Sequence, residues 1–309
     1  MATTEGASLP RIEAPPTARP ARGALASVGD GLAAWLPALP ILLLAVVLLI
    51  VPTIWLVVGS VYSPDTGVTL DFWRMTLGSK GGQRAIGTSV GLGLVCATIS
   101  VLIGGPLAWF ISRMLTARRS VWLALMNVAA NFGGIGLAFG YIAALGTFGM
   151  VTLAIQELGI PFVPPMIGSF ASLVLAYEYT NVPLFVLLTL PAMSILRNEW
   201  LEAAETCAAS RGQFWRYVGM PILTPFLLAG WLLIFTWSIG VYGLAFALGQ
   251  TAATTGQLRL VTLAIGLTLN TGAGSEERAY VYAVVLLLLA IAALAIYRIT
   301  LKRALRWFV

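Results

Sequence analysis

Six stretches of this sequence are long and apolar enough to cross a lipid bilayer, which takes roughly 20 such residues per helix. They lie at about residues 35–61, 86–112, 121–146, 168–193, 222–248 and 279–299. In hydrocarbon, backbone N–H and C=O groups have to be satisfied inside the segment, so each stretch reads as a helix. The expected fold is all-α and integral to a membrane, with lipid as its main neighbour. Composition excludes six buried helices in a soluble domain. Of the 309 residues, 59% are hydrophobic and 10% are charged, whereas soluble domains carry about 25% charged residues. So little charge cannot cover a water-facing surface.

Lysine and arginine set the expected orientation, because they accumulate in cytoplasmic loops. With the N-terminus inside, Arg11, Arg19, Arg22, Arg113, Arg118, Arg119, Arg197, Arg211, Arg216, Arg298, Lys302, Arg303 and Arg306 fall on the cytoplasmic side. Arg74, Lys80, Arg84, Arg259 and Arg278 fall outside. Thirteen of 18 are then inside, which places both termini in the cytoplasm of a bacterial inner-membrane protein. The net charge of +6 is dispersed between apolar runs, so nucleic acid is not an expected partner. Residues 1–31 are rich in Ala, Pro, Gly, Thr and Arg and read as a disordered cytoplasmic tail ahead of a membrane domain at 32–309. The first apolar run begins too late for a cleaved signal peptide.

Histidine is absent, and the two cysteines, Cys96 and Cys207, lie in separate regions. Serine–histidine chemistry and His-based zinc sites are thereby excluded, and no metal or disulfide spacing is present. Three connections are expected outside the membrane: Ser63 to Arg84, Phe148 to Ile167 with its three prolines, and Gln250 to Arg278. They either present a surface to an extracytoplasmic partner or merely join helices.

The longest inside loop, residues 197–221, carries the most information. Trp200 to Ala209 holds strong helix formers, early acids that suit a positive helix N-terminus, and a seam of small residues at Ala204 and Ala208. Ser210 is placed to cap a second short helix, with Gln213 in the capping-box position. Pro221 falls where the fifth span begins, a favoured place for proline. The loop therefore reads as a helix–turn–helix lying flat at the cytoplasmic face, with small residues that let another protein approach.

This segment resembles the EAA loop of permease subunits in binding-protein-dependent ABC importers. Glu202, Ala203 and Ala204 match the opening of that family's pattern, Ser210, Arg211 and Arg216 match its polar and basic positions, and Pro221 has its spacing. The family glycine falls on Ala208, which lacks glycine's backbone freedom, so the turn is expected slightly later, at Gly212. The stretch from Thr88 to Ala108 is similar to the second span of these permeases, and Tyr177 to Pro191 to their proline-containing fourth span. Asn131 to Phe139 and the six-span layout are most like the spermidine/putrescine group.

The resemblance implies the type I importer permease fold, with six spans and a cytoplasmic coupling helix. It implies a second permease, identical or sister, two ATP-binding cassette subunits that receive Glu202, Ala203, Ala204, Ala208, Arg211 and Pro221, and an extracytoplasmic substrate-binding protein. Gly78-Ser79-Lys80 is not a phosphate-binding loop, so ATP and Mg are expected on the partner ATPase and no cofactor on this chain. The chain is accordingly expected to be a non-catalytic translocation subunit for a small solute, a polyamine or similar.

Polar residues inside spans are costly and often functional. Glu178 is the sole acid in an apolar run, beside Tyr177 and Asn181, about 15 Å into the fourth span. Two readings stand: it faces the translocation path and favours a cation, or it is a structural acid at a helix contact. By the resemblance the fifth span lines the path, which adds Ser238 and Tyr242 as candidates. Asn127, Asn131, Gly133, Gly134 and Gly136 are expected to mark close helix packing in the third span. A secondary active transporter is the alternative function, but neither clear repeats nor paired intramembrane acids support it.

Overall fold

The computed structural model describes residues 36–63, 67–251, 259–271 and 276–305. The expected tail, residues 1–31, lies outside the described residues. The chain divides into two units, one ending at Ile54 and one beginning at Trp55. In the first, residues 36–54 are helical throughout, with Pro40 in the first turn and a wide π turn over Val46–Ile50. They begin helix α1, Leu39–Gly59.

The second unit is built from helices and a two-residue antiparallel ribbon, Tyr62–Ser63 against Gly67–Val68. Its helices are α2 (Asp71–Gly78), α3 (Lys80–Ser112), α4 (Thr116–Asn131), α5 (Gly134–Leu145), α6 (Met150–Glu157) and α7 (Phe170–Met193). Then follow α8 (Asn198–Thr206), α9 (Arg211–Gly240), α10 (Gly243–Thr251), α11 (Val261–Thr271) and α12 (Glu276–Leu305). Among the described residues, six helical segments are long and apolar enough to span a membrane, so the all-α, multi-pass expectation holds.

The core is the packing of α7 against α3 and α9. Phe185 of α7 is fully buried and wedged between two glycines. A Cβ on Gly104 of α3 would stand 2.8 Å from its ring, and one on Gly230 of α9 would stand 2.6 Å from it. Without a hydrophobic drive between helices in lipid, such close approach is how helices gain packing energy. Pro106, Pro183, Pro191 and Pro225 lie inside helices that nonetheless run on through them.

The structure departs from the expected spans in two adjoining places. The expected third span, 121–146, is broken: Phe132 and Gly133 leave helical geometry and Gly134 takes a left-handed φ of 69°. Gly133, Gly134 and Gly136 therefore terminate and restart a helix instead of packing closely, and a Cβ on any of the three would meet nothing within 4 Å. Asn131 turns its amide back to the Asn127 carbonyl and side chain, at 2.9 and 2.8 Å. The expected fifth span, 222–248, breaks at Val241 and Tyr242, between α9 and α10. The two breaks adjoin, since a Cβ on Gly243 would lie 3.8 Å from Gly134 Cα.

The long outer connections are also more structured than polar linkers. Ser79 caps α3, accepting from the Gly82 amide at 2.9 Å, so α3 starts at Lys80 instead of 86. α2 and α11 both pack against α12. The first amide of α11, from Val261, donates to the buried Ser89 Oγ of α3 at 2.9 Å.

Candidate functional site

The loop between α7 and α9 is a helix–turn–helix. Glu199 lies in the first turn of α8, where a negative charge favours the helix N-terminus. At its other end the Ala208 amide donates to the Glu205 carbonyl at 3.0 Å and the Ala209 amide to the Ala204 carbonyl at 3.0 Å. This pair of bonds is the Schellman closure, which places the residue after the helix cap in the left-handed region. That residue is Ala208, with φ of 55°. The turn is thus at Ala208 and not at Gly212. The two closing bonds fix the turn's position, and the alanine accepts the strain.

The second half follows the sequence reading. Ser210 Oγ accepts from the Gln213 amide at 3.3 Å, and Gln213 Oε1 accepts from the Ser210 amide at 2.7 Å, a complete capping box. Pro221 sits in the first turn of the regular α-helix Met220–Gly240, preceded by a π turn over Trp215–Gly219. A proline ring clashes with the carbonyl four residues back. Here that carbonyl belongs to Tyr217, inside the wide turn that relieves the clash.

Glu202, Ala203, Ala208 and Arg211 are exposed and Ala204 is half-buried, so the small-residue seam is open to a partner. Arg211 Nε lies 3.5 Å from Glu205 Oε1, an exposed pair that contributes little. The loop is anchored beneath by residues that sequence reasoning missed. Phe214 is buried, and Trp215 meets Trp109 of α3 edge-on at 4.8 Å. The Arg113 guanidinium stacks over Trp109 at 4.0 Å and donates to the Leu196 carbonyl at 2.7 Å. The signal available was a Trp and an Arg four residues apart at the end of one span and a Trp in the loop; their meeting is tertiary.

The intramembrane candidates form a layer between α3, α7 and α9. Glu178 Oε2 accepts from Ser100 Oγ of α3 at 2.8 Å, with the Cys96 thiol beside it. Asn181 Nδ2 donates to Ser238 Oγ of α9 at 3.0 Å. Tyr177 donates its hydroxyl to the Val241 carbonyl at 3.1 Å, and Thr262 of α11 donates to the same oxygen at 3.4 Å. The carbonyl freed by the helix break is thus satisfied from two helices, as hydrocarbon surroundings require. Tyr242 stacks on Phe246 and covers Gly266 of α11. Tyr177, Asn181 and Ser238 are buried inside the unit, and Tyr242 is half-buried. Glu178 Oε1 and Asn181 Oδ1 are buried without a hydrogen-bond partner among the described residues.

The chain is similar to known transport permease proteins. No family model matches it. It is 28% identical over 151 residues to the sulfate transport system permease protein CysT of Salmonella typhimurium, covering 48% of this chain and 52% of the relative. It is 26% identical over 189 residues to the molybdenum permease ModB of Mycobacterium bovis, covering 59% and 68%. The spermidine/putrescine permease PotB of Haemophilus influenzae is 25% identical over 167 residues, covering 54% and 58%. The chain thus spans about half to two thirds of the length of these relatives. In fold it matches a chain of a bacterial ABC transporter involved in alginate import, with a TM-score of 0.71 at 15% identity, covering 91% of this chain and 98% of that one. A second structure of an alginate ABC transporter, in complex with an alginate-bound periplasmic protein, matches with a TM-score of 0.68 at 16% identity. The chain's homologues are therefore transport-system permease proteins, and its fold is that of a chain of a bacterial ABC importer.

Proposed function

We propose that this chain is the membrane-spanning permease subunit of an ATP-driven, binding-protein-dependent importer. It lies in a bacterial inner membrane with both termini cytoplasmic, and it has no catalytic site of its own. The observation that carries this reading is the exposed α8 ridge with its closed turn, held against the end of α3 by Trp215, Trp109 and Arg113. A docked ATPase pressing on Glu202, Ala203, Ala204, Ala208 and Arg211 would move α9 directly through Pro221 and α3 through the aromatic contact. ATP and Mg belong to that pair of ATPase subunits. A second permease completes the membrane part, and an extracytoplasmic binding protein delivers the solute.

The relatives' names give sulfate, molybdenum and spermidine/putrescine, and the structural neighbours carry alginate. The first three are small solutes and support a small-solute importer without favouring the polyamine, whereas the alginate structures, at 15–16% identity, bear on the fold alone. Glu178, Tyr177, Asn181, Ser238 and Tyr242 set the spacing of the spans around the path, since Ser100, Ser238 and the Val241 carbonyl engage the first three. Glu178→Gln preserves the Ser100 contact, so uptake and selectivity should stay near wild type; altered selectivity would assign Glu178 to the path itself.

Purification of the tagged chain from its own cells tests the main reading. An ATPase subunit should co-purify with the wild type and be lost from Glu202→Arg, with membrane insertion intact. Retention of the ATPase and of transport in both Glu202→Arg and Ala208→Trp would sink the proposal.

A further inference from the structure

Apart from the polar layer and the loop, one groove opens between α7, α9 and α12, with a volume of about 480 Å³. Leu188, Phe226, Leu233, Ala290, Leu294 and Tyr297 form half of its wall. The wall threonines are spent on their own helices: Thr189 donates to the Phe185 carbonyl at 2.8 Å and Thr236 to the Leu232 carbonyl at 2.8 Å. The groove is therefore a hydrocarbon surface, unsuited to a polar solute.

Its dimensions favour a chain over a helix. From Phe226 to Thr236 it runs about 15 Å along α9, half of the roughly 30 Å hydrocarbon core and hence one leaflet deep. Its free space, about 1030 Å³ with the open mouth included, gives a mean section of about 70 Å² over that length, below the roughly 80–110 Å² of a helix 10–12 Å across. An extended acyl chain is narrow enough to enter.

The end of the groove is charged. On α12, Ala290, Leu294, Arg298 and Lys302 follow one another at four-residue spacing and so form one ridge. The first two line the groove, and the last two stand exposed just beyond it. Among the described residues, no carboxylate pairs with Arg298 or Lys302. We propose that this groove is a binding site for an anionic membrane phospholipid, one acyl chain lying in the groove and the phosphate held by Arg298 and Lys302.

The test is native mass spectrometry of the full chain in detergent, titrated with phosphatidylglycerol and with phosphatidylcholine of the same acyl chains. Each basic side chain near an anionic headgroup contributes roughly a five-fold preference, so the wild type should retain phosphatidylglycerol at least about ten-fold better. Arg298→Gln with Lys302→Gln, both at exposed positions, should bring phosphatidylglycerol down to the phosphatidylcholine level. Ala290→Phe, which fills the groove, should weaken both lipids. Equal retention of the two lipids by the wild type, or a preference that survives the double variant, overturns the proposal. So does efficient disulfide dimerisation through Leu294→Cys in a Cys207→Ser background, which would place a second copy on this face.

Discussion

Replacing Ala208 with glycine isolates the strain in the turn that closes α8. An L-residue in the left-handed region costs roughly 1–2 kcal/mol relative to glycine. Glycine in turn gives the unfolded loop more freedom, which offsets about 0.4–1 kcal/mol of that relief. The net expectation for Ala208→Gly is a turn more stable by about 0.8 kcal/mol, within a range of about 0 to 1.6, or roughly four-fold in its opening equilibrium. Ala208→Val should move the other way, because a β-branched side chain tolerates positive φ still less. Hydrogen exchange at the amides of Cys207, Ala208 and Ala209 is the direct assay, since these donate to Ala203, Glu205 and Ala204. Exchange should slow by about two- to five-fold in the glycine variant and quicken in the valine variant. Unchanged exchange in both, or faster exchange with glycine, would refute the assignment of the strained turn to Ala208.

Gly230→Ala should destabilise the helix core by about 1–3 kcal/mol, because its Cβ would press on the Phe185 ring; thermal unfolding should show partial rescue by Phe185→Leu. A double-mutant cycle of Asn181→Ala and Ser238→Ala should return a coupling of about 0.6 kcal/mol, and no more than about 1.7, the range for hydrogen bonds between membrane helices. Zero coupling would dissociate the two residues. Arg113→Lys keeps the charge but cannot both stack on Trp109 and reach the Leu196 carbonyl. ATP hydrolysis by the assembled complex should continue with solute uptake lowered several-fold, and uptake at the wild-type level would remove Arg113 from the coupling route.

Much of this architecture was legible in the chain because hydropathy and capping are local. Five of the apolar runs, the Ser210–Gln213 box and the start at Pro221 depend on neighbours within a few residues, whereas the third spanning segment is Gly134–Glu157 instead of 121–146. The helix breaks were not legible, since a hydropathic run is blind to backbone angle. Gly133 and Gly134 offered a hint that reads equally as close packing, and Val241 breaks its helix with only flanking glycines to mark it. The turn at Ala208 was misplaced for a related reason: composition points to the permissive Gly212, whereas two backbone bonds choose the position. The polar layer lay beyond reach because Glu178 finds Ser100 78 positions away and Asn181 finds Ser238 57 away.

The paired interruptions at Gly134 and Val241 have a mechanical corollary. A continuous helix transmits twist and thrust along its whole length as a stiff rod. Two neighbouring rods cut at the same level share a joint there, and the segments beyond it, α5 and α10, travel together because they pack on one another. Under the proposed function, thrust entering at the loop end of α9 would be delivered up to the joint, whose angle is held by Tyr177 and Thr262 gripping one carbonyl oxygen. Releasing that grip would let the far storey of the bundle tilt while the near storey stays put.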